Sequence, residues 1–336
     1  MSRGRVLMVE FESEVLRGNP AGDPHVRRIP IYLPPSYDRD TERRYPVLHV
    51  LTGFTGRGRM LLNDSTFSPS LDDRLDALIA NGRCSETIVV MPDCWTRFGG
   101  SQYLDSAATG NYATHLVSEL VPWVDANLRT LPSRRHRGVV GKSSGGFGAL
   151  TLGMKHADVF GAVASHSGDA YFEYCYRPDL PLACTVLQRA GGVKAFLDAF
   201  DAKPQKGKDD FTAYNIVGMA AAYSPDPAGE LGIALPFDLA TGEFREDVWQ
   251  RWLAFDPVAL AGSHAAALRS LELLFLDCGT RDEFHLHHGT RMLSRRLSAL
   301  GVKHEHIEYD DGHMNVSYRY DLSLPKLAAA LAAPSV

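Results

Sequence analysis

The chain has 336 residues, 45% of them hydrophobic, which suits one sizeable α/β core with an insertion and not two large domains. Its net charge is −5, with both signs mixed along the chain, so it lacks the basic footprint of a nucleic-acid or anionic-membrane binder. The opening "MSRGRVLMVEFESEVL" has no apolar signal core, and no apolar run reaches the length of a membrane span. Cys84, Cys94, Cys175, Cys184 and Cys278 are spaced for neither a disulfide framework nor a metal site, so a cytoplasmic protein with reduced thiols is expected.

In chain order, "RVLMVEFES" and "VRRIPIYLP" read as strands, joined through the turn cluster "GNPAGDP" in a hairpin-like arrangement. "VLHVLTG", "TIVVMPD", "GVVG", "GAVASHS" and "LELLFLDCG" are short Val- and Ile-rich runs suited to strands buried on both faces, and "KHEHIEYD" is the last strand. Between them lie helical patterns. "SLDDRLDALIANG" has a Ser cap, an acidic first turn and a closing Gly, and "NYATHLVSELVPWVDANL" carries Pro122, which should kink or split it. "GGFGALTLGMKHA", "TRMLSRRLSALG" and "SLPKLAAALAA" complete the set. This alternation predicts an α/β fold: a mostly parallel central sheet flanked by helices.

Residues 171–262 break the rhythm with "KPQKGKDD", several aromatics and "YSPDPAGELGIALPFDLATGEF". The segment is too long for a loop. It is expected to be a partly helical cap inserted into a core formed by residues 1–170 and 263–336.

The stretch "VVGKSSGGFG" admits two chemistries. A phosphate-binding loop needs a Gly five residues before Gly141, where the chain has His136. The alternative, G-x-S-x-G, is met by Gly141, Ser143 and Gly145, between a short strand and a helix that starts at once. Ser143 is therefore the candidate nucleophile, on a strained strand-to-helix turn whose flanking positions leave no room for side chains.

A serine needs a base and an acid, which follow it in the order acid, then histidine. "FLDCGTRDEF" offers Asp277 within its strand and Asp282 in the loop beyond. Asp282 is favoured, and Glu283 is read as a solvated loop charge. His313, in the Gly-flanked "DDGHMN", can swing over the serine with Asp282 holding its other nitrogen. His304 and His306 fit an alternating strand pattern. His285, His287 and His288 lack zinc-site spacing and read as a helix start, so no metal site is assigned.

The oxyanion hole is expected from the backbone N–H groups of Phe54, in "LTGFTG", and Ser144. "DCWTRFGGSQYLDS" should reach the same sheet edge. Its Trp95, Phe98, Gln102, Tyr103 and Asp105 are candidate substrate-binding residues, together with Asp169 and, at the start of the cap, Tyr171 and Phe172.

The pieces "IPIYLPPSYD…RRYPVLHVLTGFTG", "VVGKSSGGFGAL", "FLDCGTRDEF" and "DDGHMN" resemble the esterase D-like branch of the α/β-hydrolases. That branch includes S-formylglutathione hydrolases, feruloyl and enterochelin esterases and the antigen 85 mycolyltransferases. The resemblance implies the α/β-hydrolase fold, Ser143, Asp282 and His313 as a triad, and the Phe54 and Ser144 N–H groups as the hole. Many relatives carry His-Gly where this chain has Thr52-Gly53, and "GFTGRG" lacks the Cys of S-formylglutathione hydrolases, so glutathione thioester chemistry is not the expectation.

The expected activity is hydrolysis of small acyl or aryl esters through an acyl-enzyme, with no cofactor, a small-molecule ester as substrate, and neither nucleic acid nor membrane as partner. A homo-oligomer is compatible with the sequence. An acyltransferase with the same triad is the second reading, and a non-catalytic hydrolase-fold binding protein the third.

Overall fold

The computed structural model describes residues 3–332. Eight strands form the main sheet: β1 (Arg5–Glu12), β2 (Val26–Leu33), β3 (Val47–Leu51), β4 (Ile88–Val90), β5 (Arg137–Lys142), β6 (Ala162–His166), β7 (Leu273–Gly279) and β8 (Glu305–Tyr309). Their order is β1-β2-β4-β3-β5-β6-β7-β8. β1 pairs antiparallel with β2, and β2 with β4; every other neighbouring pair is parallel. The antiparallel β1–β2 pair matches the hairpin-like arrangement expected from the turn-rich connection, residues 13–25.

Nine helices of seven residues or more are described: α1 (Leu71–Ala80), α2 (Val121–Asn127), α3 (Ser144–Lys155), α4 (Leu180–Ala190), α5 (Val193–Ala202), α6 (Lys208–Tyr223), α7 (Glu246–Leu253), α8 (Leu286–Ala299) and α9 (Tyr320–Leu331). At the head of α1, Ser70 Oγ accepts the Asp73 N–H at 3.4 Å, satisfying one of the unpaired first-turn donors. Pro122 sits in the first turn of α2, directly after a π-helical stretch, His115–Leu120. Proline lacks the N–H that a continuous α-helix would use, and the widened turn accommodates it. α8 begins at Leu286, within the His285–His288 cluster read as a helix start, and His285 precedes it in a left-handed conformation (φ 61°).

Strand side chains alternate between the two faces, as a two-residue period requires. Val139, Leu274 and Leu276 pack with α2, α3 and α8. Val140 and Phe275 face the other way, against Leu71, Leu75 and Leu78 of α1 and Leu324, Leu327 and Leu331 of α9. A further cluster is built on α4 to α7 and holds the fully buried Trp249 and Trp252. It reaches the sheet's C-terminal edge through Phe54 and Phe147. That edge, where the parallel strands end, is where such sheets present their chemistry.

Candidate active site

β5 ends at Lys142, and α3 begins at Ser144. Ser143, between them, has φ 59° and ψ −127°, a conformation that costs an L-residue about 1–3 kcal/mol. The turn is tight enough to exclude side chains on both sides. A Cβ on Gly141 would lie 2.4 Å from the Gly145 carbonyl carbon, and one on Gly145 would lie 2.3 Å from Leu51 O. The Ser143 N–H is held by the His166 carbonyl at 2.9 Å, so the neighbouring strand β6 fixes the turn.

The loop after β3 closes on this turn. A Cβ on Gly53 would stand 3.5 Å from Ser143 Cβ and 4.0 Å from its Oγ. Phe54 is anchored by its ring, which fills the space left by two glycines: a Cβ on Gly99 would come within 2.3 Å of it and one on Gly218 within 2.6 Å. Among the described residues neither the Phe54 N–H nor the Ser144 N–H has a backbone acceptor.

His313 follows β8. Its Nδ1 lies 2.8 Å from Asp282 Oδ2, and its backbone N–H donates to Glu283 at 2.6 Å. Glu283 is exposed, but it grips the histidine's loop and is not simply solvated. Burial pushes the Asp282 carboxyl up, yet His313 and the Phe284 and Leu286 N–H groups outweigh it and hold the carboxyl below its usual range. Ser143 and His313 line one cavity of about 300 Å³, without a direct hydrogen bond between them among the described residues. Lys142 lines it too; burial lowers its pKa against the opposing pull of Asp282 and Glu283.

Asp277 and Asp282 have different roles. Asp277, fully buried in β7, meets His166 Nδ1 at 2.5 Å and Arg319 Nε at 2.9 Å, while Ser323 Oγ sits 2.7 Å from His166 Nε2. This buried Ser–His–Asp arrangement lies behind the elbow. The sequence reading missed it; the only signal was a histidine closing an apolar strand in "SHSG".

Of the proposed substrate-binding residues, Asp169 lines the cavity, and the others do not. Phe98 and Phe172 are buried in the cluster built on α4 to α7. Tyr103 is buried behind the loop and donates its hydroxyl to Thr52 O at 2.6 Å. Gln102 Nε2, also buried, is 3.1 Å from Asp169 Oδ2 and 2.9 Å from the Tyr223 hydroxyl. Asp105 is exposed and accepts the Thr114 N–H at 2.9 Å, a local helix-start contact. Trp95 lines a separate cavity. The physical reason is that "DCWTRFGGSQYLDS" folds beneath the β3 loop as a supporting layer and does not stand over the serine. The cavity wall comes instead from Tyr176, Phe211, Asn215, Phe284 and Met314, which no motif marked. Tyr176 donates to Asp169 at 2.7 Å, and Ser144 Oγ approaches the same carboxyl at 3.3 Å.

All five cysteines are free and buried. Among the described residues no group of three or more His, Cys, Asp or Glu is arranged to hold a metal ion. No described helix is long and apolar enough to cross a membrane.

A mostly parallel sheet with a strained, positive-φ serine at the strand-to-helix turn is an α/β-hydrolase fold. Residues 24–327 match the family described as "Putative esterase", and the chain belongs to this esterase family. Esterase Rv1288 of Mycobacterium tuberculosis (strain H37Rv) is 28% identical over 272 residues, covering 77% of this chain and 56% of that protein. The match thus spans little more than half of the curated relative's length. Among solved structures, a ferulic acid esterase covers 98% of this chain and 100% of its own, with TM-score 0.65 and 21% identity. An S-formylglutathione hydrolase from Agrobacterium tumefaciens covers 99% of this chain and 97% of its own, with TM-score 0.59 and 16% identity. At these identities the structural likeness speaks for the fold.

Proposed function

We propose that the chain is a serine esterase that hydrolyses small acyl or aryl carboxylic esters through an acyl-enzyme on Ser143. One arrangement carries this reading: a strained Ser143 shares a cavity with His313, whose far nitrogen is tied to Asp282 at 2.8 Å. Ser143 Oγ attacks the ester carbonyl as His313 Nε2 takes its proton. The Phe54 and Ser144 N–H groups receive the developing oxyanion, and each such donor is worth about 3 kcal/mol. The tetrahedral adduct expels the alcohol, which leaves with the proton from His313. Water, deprotonated by the same nitrogen, then releases the acid and restores the serine. Asp282 keeps Nδ1 protonated and the ring oriented.

Residues 171–262 act as the cap. Cys175, Tyr176, Phe211 and Asn215, which come from this segment, border the cavity and support that role. A cavity of about 300 Å³ with aromatic walls suits a small or aryl acyl group. The name of the structural relative, ferulic acid esterase, supports an aryl ester. The unpaired thiols favour a reducing compartment, and we assign the protein to the cytoplasm.

The test is hydrolysis of a p-nitrophenyl ester series varied in acyl length and aryl character, with Ser143→Ala as control. The expected loss of kcat is on the order of 10⁶. Full activity in Ser143→Ala would overturn the mechanism. Accumulation of a transesterified product with added alcohols would instead point to acyl transfer.

A further inference from the structure

The loop that leaves the candidate oxyanion hole continues into a second cavity. Beyond Phe54 it runs through Arg57, Gly58, Arg59 and Met60. Its backbone is pinned at Gly58, where a Cβ would lie 2.0 Å from the Met91 carbonyl oxygen. Arg57 and Arg59 border a cavity of about 420 Å³, together with Trp95, Asn63, Arg27 and Arg28. Met60, half exposed, lines both this cavity and the one holding Ser143. The two spaces are therefore neighbours on one face.

The charges here are unbalanced. Arg28 pairs with Glu10 at 3.2 Å. Arg27 donates to Trp95 O at 2.8 Å and to the Tyr112 hydroxyl; Asp93 also lines the cavity, and the half-buried Asp23 feels the charges of Arg27, Arg97 and Arg57. Arg57 and Arg59 are exposed, and their side chains form no ion pair or hydrogen bond among the described residues. The Arg57 guanidinium instead lies over the Trp95 ring, 4.2 Å from its centroid. Two guanidinium groups without a paired carboxylate, one lying over an indole and sharing the field of Asp23 with Arg27 and Arg97, can receive a carboxylate or phosphate. They do so in a chain whose net charge is −5.

We propose that this second cavity is a specificity subsite for an anionic group on the far end of the ester, read by Arg57 and Arg59 with Trp95 as platform. The inference rests on the esterase reading and adds the substrate class to it: an ester bearing a carboxylate or phosphate several bonds from the scissile carbonyl. The loop ties recognition to chemistry, because the same backbone carries Phe54 at one end and the arginines at the other.

The test compares three matched aryl esters, with a neutral, a carboxylate or a phosphate tail. It uses the full chain, Arg57→Ala/Arg59→Ala and the single exposed-site variant Arg59→Glu. In the wild type, kcat/KM for the anionic esters should exceed that for the neutral ester by about tenfold or more. The ratio should collapse toward one in the double variant, fall below one in Arg59→Glu, and shrink as salt is raised, because exposed charges are screened. The ratio between the two tails tells carboxylate from phosphate. A wild-type ratio near one, or one that the variants leave intact, overturns the proposal. Calorimetric binding of the same esters to Ser143→Ala separates the two claims. Arginine-dependent preference for the anionic ester, without turnover by the wild type, would keep the subsite and remove the esterase reading. Turnover without that preference would do the reverse.

Discussion

The Nδ1 atom of His313 lies 2.8 Å from Oδ2 of Asp282, and the carboxyl that holds it is itself held below its usual pKa range: burial raises it, but His313 and two backbone N–H groups prevail. A charged acceptor at this position fixes the ring tautomer that leaves Nε2 free to take a proton. Asparagine would present an N–H₂ group there and favour the wrong tautomer. Asp282→Asn is therefore expected to lower kcat by about 10⁴ while leaving the fold and KM nearly unchanged. Steady-state kinetics with circular dichroism checks this. A kcat within tenfold of wild type would remove Asp282 from the mechanism.

The elbow has no space for a side chain at Gly145, where a Cβ would meet Leu51 O at 2.3 Å and the Thr52 carbonyl at 2.8 Å. These are backbone atoms and cannot rotate away. Gly145→Ala should cost at least 1–3 kcal/mol, roughly the penalty of overpacking a close-packed site, and should displace the Gly53–Phe54 loop from Ser143. Urea denaturation measures the first effect and the kcat of any folded fraction the second. Wild-type stability would mean that the turn is looser than described.

His49 stands in β3, fully buried, and neither ring nitrogen makes a well-formed hydrogen bond, although the Gly138 backbone weakly favours the protonated ring. Burial, reinforced by Arg137, pulls its pKa down to about 3. Below the ordinary histidine value of ~6.5 the unfolded chain binds a proton that the folded chain refuses, so this group lowers stability as pH falls from about 6.5 to about 3. Above that window it has no effect. Asp23, pushed up to about 6 by burial, acts in the opposite sense, but it is common to both proteins in a comparison. His49→Leu, close in volume, should therefore gain on wild type by about 2 kcal/mol at pH 4.5 relative to pH 7. Denaturant curves at the two pH values give the difference, and equal gaps would refute the assignment.

Asp169 is a buried acceptor shared by Tyr176, Gln102 and Ser144. Burial raises its pKa against those hydrogen bonds. Asp169→Ala leaves several buried donors without an acceptor, each costing about 1–3 kcal/mol. A lowered unfolding midpoint is expected, with a smaller loss for Gln102→Ala, whose amide is one donor among several. An unchanged midpoint in Asp169→Ala would show that the stranded donors find other acceptors.

Much of this protein was written in local sequence. The parallel sheet follows from apolar runs separated by amphipathic helices, because each run must bury both faces. The elbow follows from glycines at 141 and 145, because contacts two residues either side of Ser143 exclude a Cβ. Asp282 and His313 stood out because each lies just beyond a strand in a loop. What only the tertiary structure decided is which distant segments meet. Phe98, Gln102, Tyr103 and Asp105 had the right chemistry for a pocket, yet the loop after β4 folds beneath the β3 loop, Phe172 is buried in the cluster built on α4 to α7, and the wall of the cavity at Ser143 is left to Tyr176, Phe211, Asn215 and Phe284. Nor could spacing reveal that Asp277 binds His166, or that Arg57 lies on Trp95. Periodicity records which face of an element is buried, and contacts between elements far apart in the chain leave no periodic trace.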